Sequence, residues 1–401
     1  VFARAYKIGY KSLVNDQEDP ITSGQNHASQ PPDSMDDSSE YRDNGDLETD
    51  ATEGATDSHS DTAGHLPVLI EPLLELLTPK INAAQNASES ESGSESGPAS
   101  TLTMLDCTLG RGGHASIFAP LLKQAAPDGS RYIGLDIDPE NIAYAADRLN
   151  ALPDSCMFDT VYSNFANAPA AVAGLGMEKV DLLLADLGFA SNQMDDPQRG
   201  FSFANDGPLD MRLDPDLPQT AADLVNNLPA EDLADIIYQY GEERLSRKIA
   251  RKIVEERNHL PILTTETLAR IVRHAYGPAA NPRNNKGKGG KGGKGAKGKS
   301  QGKSIHPATK TFMALRIAVN GELDALDKLL SDLPALIAKN GVAAIISFHS
   351  LEDRRVKQAF LKLEQDGLAK RLTRKPMIAS DEEMRTNPRS RSAKLRAVQF
   401  V

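Results

Sequence analysis

From Leu102 onward, short apolar runs alternate with helical stretches, and this alternation constrains the fold more than any other feature of the chain. Leu102–Leu109, Tyr132–Ile137, Met157–Tyr162, Val180–Leu187 and Gly341–Phe348 read as strands. Helical periodicity fills 115–125 and 139–149 between the first three. Parallel neighbours need a crossover, usually a helix, so the pattern predicts a mostly parallel sheet covered on both faces. The terminal stretch Leu395–Val401 is expected as an edge strand. Thr220–Leu228, Ala230–Tyr240, Glu243–Arg257 and Thr264–Tyr276 carry apolar residues at helical spacing, several behind a capping Thr or Pro. They predict a small helical domain inserted between the fourth and fifth strands. The expected class is α/β, a doubly wound sheet with that insertion.

Charge is unevenly placed. The 401 residues carry a formal net charge of −11, yet residues 1–64 alone hold fourteen Asp/Glu against four Lys/Arg. That segment is rich in Ser, Asp, Thr and Gly and has too little apolar surface to offset ordering entropy, so 1–64 is expected as a disordered acidic tail. Arg4, Lys7 and Lys11 precede the first acid, as in the remnant of an organelle transit sequence, and the missing initiator Met reads as truncation or processing. The Ser/Glu/Gly stretch 82–101 and the Lys/Gly stretch 282–304 are expected as disordered insertions, the second a linker or a phosphate-binding arm. Residues 354–396 hold thirteen Lys/Arg against five Asp/Glu. No secretory signal or membrane span is visible. Cys107 and Cys156, the only cysteines, suit a reducing compartment and exclude a disulfide framework.

Asp186 to Arg212 follows a buried-strand pattern and then shows neither helical nor strand period. A loop of that length inside a compact domain is usually functional or disordered. Phe201, Phe203, Leu209 and Met211 are apolar anchors, and Gly188, Gly200, Gly207 and Pro208 set turns, so the loop is expected to be ordered. It would present charged groups at the carboxyl end of a strand, where ligands sit in open α/β sheets.

Two further strand ends carry chemistry. Asp106 to Ala115 joins the first strand to its helix, and Gly110, Gly112 and Ala115 satisfy the dinucleotide pattern. Asp136 ends the second strand, where a carboxylate can accept from two ribose hydroxyls; Asp138 reads better as a helix N-cap. NAD and S-adenosylmethionine both carry such a ribose, so a dehydrogenase competes at this point. The Asp186 loop leaves little sign of a second, nicotinamide-binding half. Asp106, Gly110, Asp136 and Asp186 at the ends of strands one, two and four give the layout of a class I methyltransferase (Rossmann-like).

Several blocks then resemble the RsmH (MraW) family of S-adenosylmethionine-dependent small-subunit rRNA cytosine-N4 methyltransferases. They are His65–Leu69, Asp106–His114, Asp186–Arg212, Tyr240–Arg244, His306–Asn320, Ile346–Arg354 and Asn387–Arg396. The resemblance implies a methyltransferase domain over 65–212 and 305–401, with 213–281 as the inserted helical domain. It implies S-adenosylmethionine as cofactor, lined by Gly112, Gly113, His114, Asp136, Phe165, Asp186 and Gln193, with Phe165 on the adenine. No metal is implied, and no His/Cys/carboxylate cluster with ligand spacing stands in the sequence. Phe189-Ala190-Ser191-Asn192 departs from the family's usual Val-Ser-Ser-Pro, and Met313 stands where Gln is usual. The acidic tail and insertions suggest a eukaryotic organelle homologue, expected in the mitochondrial matrix, with the chloroplast or a bacterial cytoplasm as alternatives.

The implied reaction is in-line transfer from the sulfonium to the amine of a cytosine in the decoding region. Many amino methyltransferases place Asp/Asn-Pro-Pro-aromatic after the fourth strand. Here Asp186-Leu-Gly-Phe189 stands instead, so the amine's acceptors cannot be read from that motif. Asp186 is the first catalytic candidate and His349 the second. The partner is small-subunit rRNA or the assembling subunit, without a membrane, and a homodimer stays open. Arg199, Arg212, Arg389, Arg391, Lys394 and Arg396 are candidates for phosphate, and Phe201 or Phe203 for stacking the base. Arg199 and Arg212 could instead pair with Asp195, Asp206 or Asp210 to hold the loop. A ribosome-assembly factor and a nicotinamide-dependent dehydrogenase remain as competing readings.

Overall fold

The computed structural model describes residues 67–91, 101–277 and 306–401. The expected acidic tail 1–64, the Lys/Gly linker 282–304 and His65 lie outside the described residues.

Seven strands form one sheet in the order β3-β2-β1-β4-β5-β7-β6. β1 (Leu102–Asp106), β2 (Ser130–Asp136), β3 (Met157–Tyr162), β4 (Val180–Asp186) and β5 (Ile337–Ser347) are parallel to their neighbours in that run. The order reverses between β1 and β4, so the switch point lies beyond the carboxyl ends of those strands.

Strand alternation divides the core in two. Met104, Tyr132, Leu182 and Leu184 face α1 (Ile70–Glu91), α2 (Ala115–Ala125) and α3 (Pro139–Asn150), through Leu73, Leu77, Phe118, Leu122 and Leu149. Leu105, Ile133, Leu183 and Ala185 face the other way, onto Val172 of α4 (Ala168–Gly174) and onto the two helices that flank β5 in sequence. Strands buried on both faces read as continuous apolar runs, which is why the sequence displays them.

Two expectations need correction. The terminal strand β7 (Lys394–Phe400) is not an edge. It pairs antiparallel with β5 on one side and with β6 (Ala369–Arg371) on the other. β6 is three residues long, too short for its period to be seen. The stretch expected to be disordered from residue 82 begins as helix, since α1 continues to Glu91. Leu73, Leu77 and Ile81, at four-residue spacing, seat that helix on the core. Residues 92–100 lie outside the described residues.

After β4 come α5 (Ser191–Asp195) and a helical excursion, α6 (Ala221–Asn227), α7 (Ala230–Gly241), α8 (Ser246–Arg257) and α9 (Thr265–Tyr276). The Thr residues at two starts act as caps: Thr220 accepts from Asp223 N–H and Thr264 from Thr267 N–H. These helices gather a separate apolar cluster around Ile237, Ile249, Leu268 and Val272. α10 (Thr309–Asn320) adds Phe312 and Leu315 to it. α11 (Glu322–Leu336) then leads back to β5, and α12 (Ser350–Gln365) follows β5. A short α13 (Asp381–Thr386) precedes β7. Among the described residues, no helix is long and apolar enough to cross a membrane.

Candidate active site

A cavity of about 220 Å³ opens at the switch point. Of the expected cofactor residues, Gly113, His114, Asp136, Phe165, Asp186 and Gln193 line it. Gly112 does not. It packs behind the loop, where a side chain would meet Ala145 Cβ at 3.4 Å.

The cavity floor is built from below. Asp106, 1% exposed at the end of β1, accepts from the Tyr132 hydroxyl at 2.7 Å and from Thr108 N–H at 3.0 Å. Thr108 Oγ1 accepts from Asp186 N–H at 2.7 Å, which ties the ends of β1 and β4 together. Burial pushes the Asp106 carboxyl up to about 6 against the pull of those hydrogen bonds.

Asp136 braces the glycine loop. Its Oδ2 accepts from Gly110 N–H at 2.7 Å and its Oδ1 from Asp138 N–H at 2.8 Å. The Asn141 side chain donates to this carboxylate as well, and a carboxylate has about four lone-pair sites, so one is left for a hydroxyl at the cavity. Burial raises this carboxyl to about 6 as well, with the two backbone donors opposing. Asp138 is the N-cap expected of it, accepting from Glu140 N–H at 3.0 Å. Its other oxygen takes Gln193 Nε2 at 2.7 Å and Arg199 Nη1 at 3.0 Å. Gln193 Oε1 in turn accepts from Ala190 N–H at 2.9 Å, so this side chain shapes the wall through its own bonds.

Asp186 differs from both. Its Oδ1 is buried with no hydrogen-bond partner, and its Oδ2 stands 3.8 Å from His114 Nδ1, beyond hydrogen-bond reach. Burial pushes the carboxyl up to about 6; His114 pulls it down, and Asp106 and Glu352 push it further up. A buried acceptor left without a donor costs stability, so this carboxyl is held less favourably than Asp106 or Asp136.

The loop after Asp186 is ordered, as expected. Phe201, Leu209 and Met211 are buried. Its two limbs cross so closely that a Cβ on Gly200 would lie 2.2 Å from the Pro208 carbonyl oxygen and one on Gly207 1.9 Å from that of Pro197. Only glycine fits there.

Most of the candidate RNA contacts are used internally. Arg212 clamps Asp210 through Nε and Nη2, both at 2.8 Å, and reaches the Pro215 and Leu217 carbonyls. Arg199 pairs with Asp138, not with the three partners the sequence offered, and also holds the Leu213 carbonyl at 2.9 Å. Arg396 lies inside the sheet on β7, 6% exposed, with Nε 2.7 Å from Asp353 Oδ1. Phe203 packs against His306 and Phe312, with ring centroids 4.5 and 4.9 Å away, and Phe201 stacks on Phe189 at 5.2 Å. These residues hold the protein together because the loop folds back on the helical cluster. Three candidates stay at the surface. Arg391 is exposed, Lys394 stands 3.8 Å from Asp353, and Arg389 lines the cavity rim 3.4 Å from Asp195.

His349 does not line the cavity. It precedes α12 and turns its Nε2 to within 3.0 Å of Glu352 Oε1. Glu352, 3% exposed, does line the cavity, as do Glu322 and Phe348, and none of the three is among the residues expected at the site. Arg316 grips Glu322 at 2.8 and 2.9 Å. Burial alone would raise the Glu352 carboxyl, but His349, the Phe348 N–H and Arg316 hold it below the usual carboxylate range. Ligand atoms of Glu322, His349 and Glu352 fall within 4.8 Å of one another, a grouping with the donor types of a cation site but already engaged by Arg316. No local spacing announces it, since the residues come from the starts of two helices on either side of β5.

The profile of the MraW methylase family matches residues 62–401. The ribosomal RNA small subunit methyltransferase H of Sorangium cellulosum is 45% identical over 304 residues, 76% of this chain and 86% of that protein. Proteins of the same name from Prochlorococcus marinus and Synechococcus sp. WH7803 are 47% and 48% identical, each over 73% of this chain, and over 83% and 85% of their own lengths. Among solved structures, an rRNA methylase from Streptococcus thermophilus is 10% identical over 75% of this chain and 87% of that chain, with a TM-score of 0.31. At that distance the strand order itself says more about the fold.

Proposed function

Because the chain belongs to the MraW methylase family, we propose that it transfers a methyl group from S-adenosylmethionine to N4 of a cytosine in the decoding region of small-subunit ribosomal RNA. The observation that carries this reading is one cavity with two differently equipped carboxylates. Asp136 is organised by backbone donors, and Asp186 keeps an oxygen without a partner. Family membership removes the dehydrogenase, which rested on the glycine pattern and on a ribose-binding Asp136 that both cofactors share.

When bound, S-adenosylmethionine supplies a methyl group activated by a sulfonium. Asp136 is placed to accept from one of its ribose hydroxyls, and Phe165, beside the end of β3, to pack on its adenine. The cytosine amine is a weak nucleophile because its lone pair is delocalised into the ring. Holding it at attack distance therefore contributes much of the acceleration. The N–C bond forms as the C–S bond breaks, and the amine must lose one proton. The Asp186 carboxylate, which lines the cavity, is the acceptor at hand. His114 offers a second seat, because its Nε2 lies 3.1 Å from the Val68 carbonyl oxygen and must donate there. Nδ1 is then the ring nitrogen turned toward Asp186, 3.8 Å from its Oδ2.

The partner in this reading is small-subunit rRNA or the assembling subunit, and the location the mitochondrial matrix, supported by the acidic and Lys/Gly segments. Import of the tagged chain into mitochondria checks the location; accumulation in chloroplasts would move it. The function is tested by mass spectrometry of nucleosides from small-subunit rRNA incubated with and without the enzyme. N4-methylcytidine is expected only with enzyme and cofactor. Methyl on C5 or on a 2′-hydroxyl would overturn the chemistry.

A further inference from the structure

A cytosine that turns N4 toward Asp186 needs a flat apolar surface beside it, a requirement that rests on the N4 transfer proposed as the function. The aromatic residues that the sequence offers for this are already engaged. Phe201 is 7% exposed and stacked on Phe189, and Phe203 is packed on His306 and Phe312. Phe189 lines the cavity three residues after Asp186, but its ring carries Phe201 at 5.2 Å and the Arg316 guanidinium at 4.7 Å. Phe165 belongs to the ribose end, since Ser163 N–H donates to the Asp136 carbonyl at 2.9 Å two residues before it.

Of the phenyl rings lining the cavity among the described residues, Phe348 remains. It leaves β5 two residues after Ile346, the register partner of Asp186, and Leu187 N–H bonds the Ile346 carbonyl at 2.9 Å. Phe348 N–H is fixed on Glu352 Oε2 at 2.8 Å, and the side chain packs partly on the core beneath α1. Its ring also lies against the start of the Asp186 loop. Gly188 has a φ of +130°, and a Cβ there would come within 3.4 Å of Phe348 Cδ2. The space beside Gly188, two residues after Asp186, is therefore bounded by this ring. We propose that Phe348 is the stacking surface for the target cytosine, positioning its amine against Asp186. Stacking is tolerant of ring chemistry and needs only a π-face, so a tyrosine should substitute and a leucine should not.

The test uses the full chain, S-adenosylmethionine and a decoding-region RNA in purified small-subunit particles. Phe348→Leu is expected to lower single-turnover methylation by about 10- to 100-fold at limiting RNA. Phe348→Tyr is expected to stay within about threefold of wild type, and both variants to bind cofactor as wild type does. Independently of folding in any variant, wild-type enzyme is irradiated with RNA carrying 5-iodocytidine at the target position, which crosslinks to a stacked aromatic ring. The adduct is expected on Phe348. An adduct on Phe189, Phe201 or Phe203, a wild-type rate in Phe348→Leu, equal losses in the Tyr and Leu variants, or lost cofactor affinity would each overturn the assignment. Absence of N4-methylcytidine from the wild-type reaction would instead overturn the function, and the stacking role with it.

Discussion

Asp186 Oδ2 faces His114 Nδ1 at 3.8 Å, while the opposite nitrogen of the same ring is 3.1 Å from a carbonyl that can only accept. A proton taken up by Asp186 therefore has the second ring nitrogen of His114 beside it. His114→Gln keeps a donor for Val68 and removes that nitrogen. The methylation rate is expected to fall about tenfold, at the lower edge of general-base effects, with cofactor affinity reduced less. Stopped-time assays and calorimetry measure the two, and an unchanged rate would confine His114 to shaping the wall.

The three carboxyls at the strand ends, Asp106, Asp136 and Asp186, each sit near 6 because burial disfavours their charge. Both working carboxylates must be ionised, Asp136 to hold the ribose and Asp186 to accept the proton. The kcat/KM for cofactor should then fall as pH drops through about 6, as a property of the group and not of one residue. A profile flat to pH 5 would contradict this.

Raised carboxyls also have a sign in stability. A carboxylate whose folded pKa of about 6 exceeds the ordinary 3.8 weighs against the native state when ionised. The penalty is full above pH 6 and absent below 3.8. Asp186→Asn should accordingly melt about 1–2 °C higher than wild type at pH 8 for each kcal/mol relieved, the scale for a chain of more than 250 residues. The difference should vanish as pH approaches 4. Calorimetric scans at the two pH values decide it; a lower Tm at pH 8 would mean that the charge stabilises the site.

The basic residues divide into two kinds. Arg391→Ala should weaken rRNA binding and reduce the slope of log affinity on log salt by about one, as expected for one lost phosphate contact. Arg212→Ala should leave that slope alone and lower Tm, because it unpairs Asp210 and two carbonyls. Filter binding across salt concentrations separates them, and equal slopes in both variants would contradict the division.

The strand ends were legible because parallel strands advertise themselves as apolar runs, and Asp106, Asp136 and Asp186 terminate three of them. The ordered loop was legible from its anchors, Phe201, Leu209 and Met211. Burial of charge was not. The sequence did offer the Arg212–Asp210 pair, but the Asp138 partner of Arg199 and the burial of Arg396 follow only once the loop's return path and the inner position of β7 are known. Glu322, Glu352 and Phe348 reach the cavity from segments more than a hundred residues beyond Asp186. No local period or spacing joins them to it.

The central claim is that Asp186 takes the amine's proton. Asp186→Asn keeps the size and one acceptor and removes the charge. In single-turnover methylation of purified small-subunit particles, scored as N4-methylcytidine by mass spectrometry, the variant should be slower by one to two orders of magnitude, about 1.4–2.7 kcal/mol, with RNA affinity little changed. A rate near that of wild type would remove Asp186 from the chemistry.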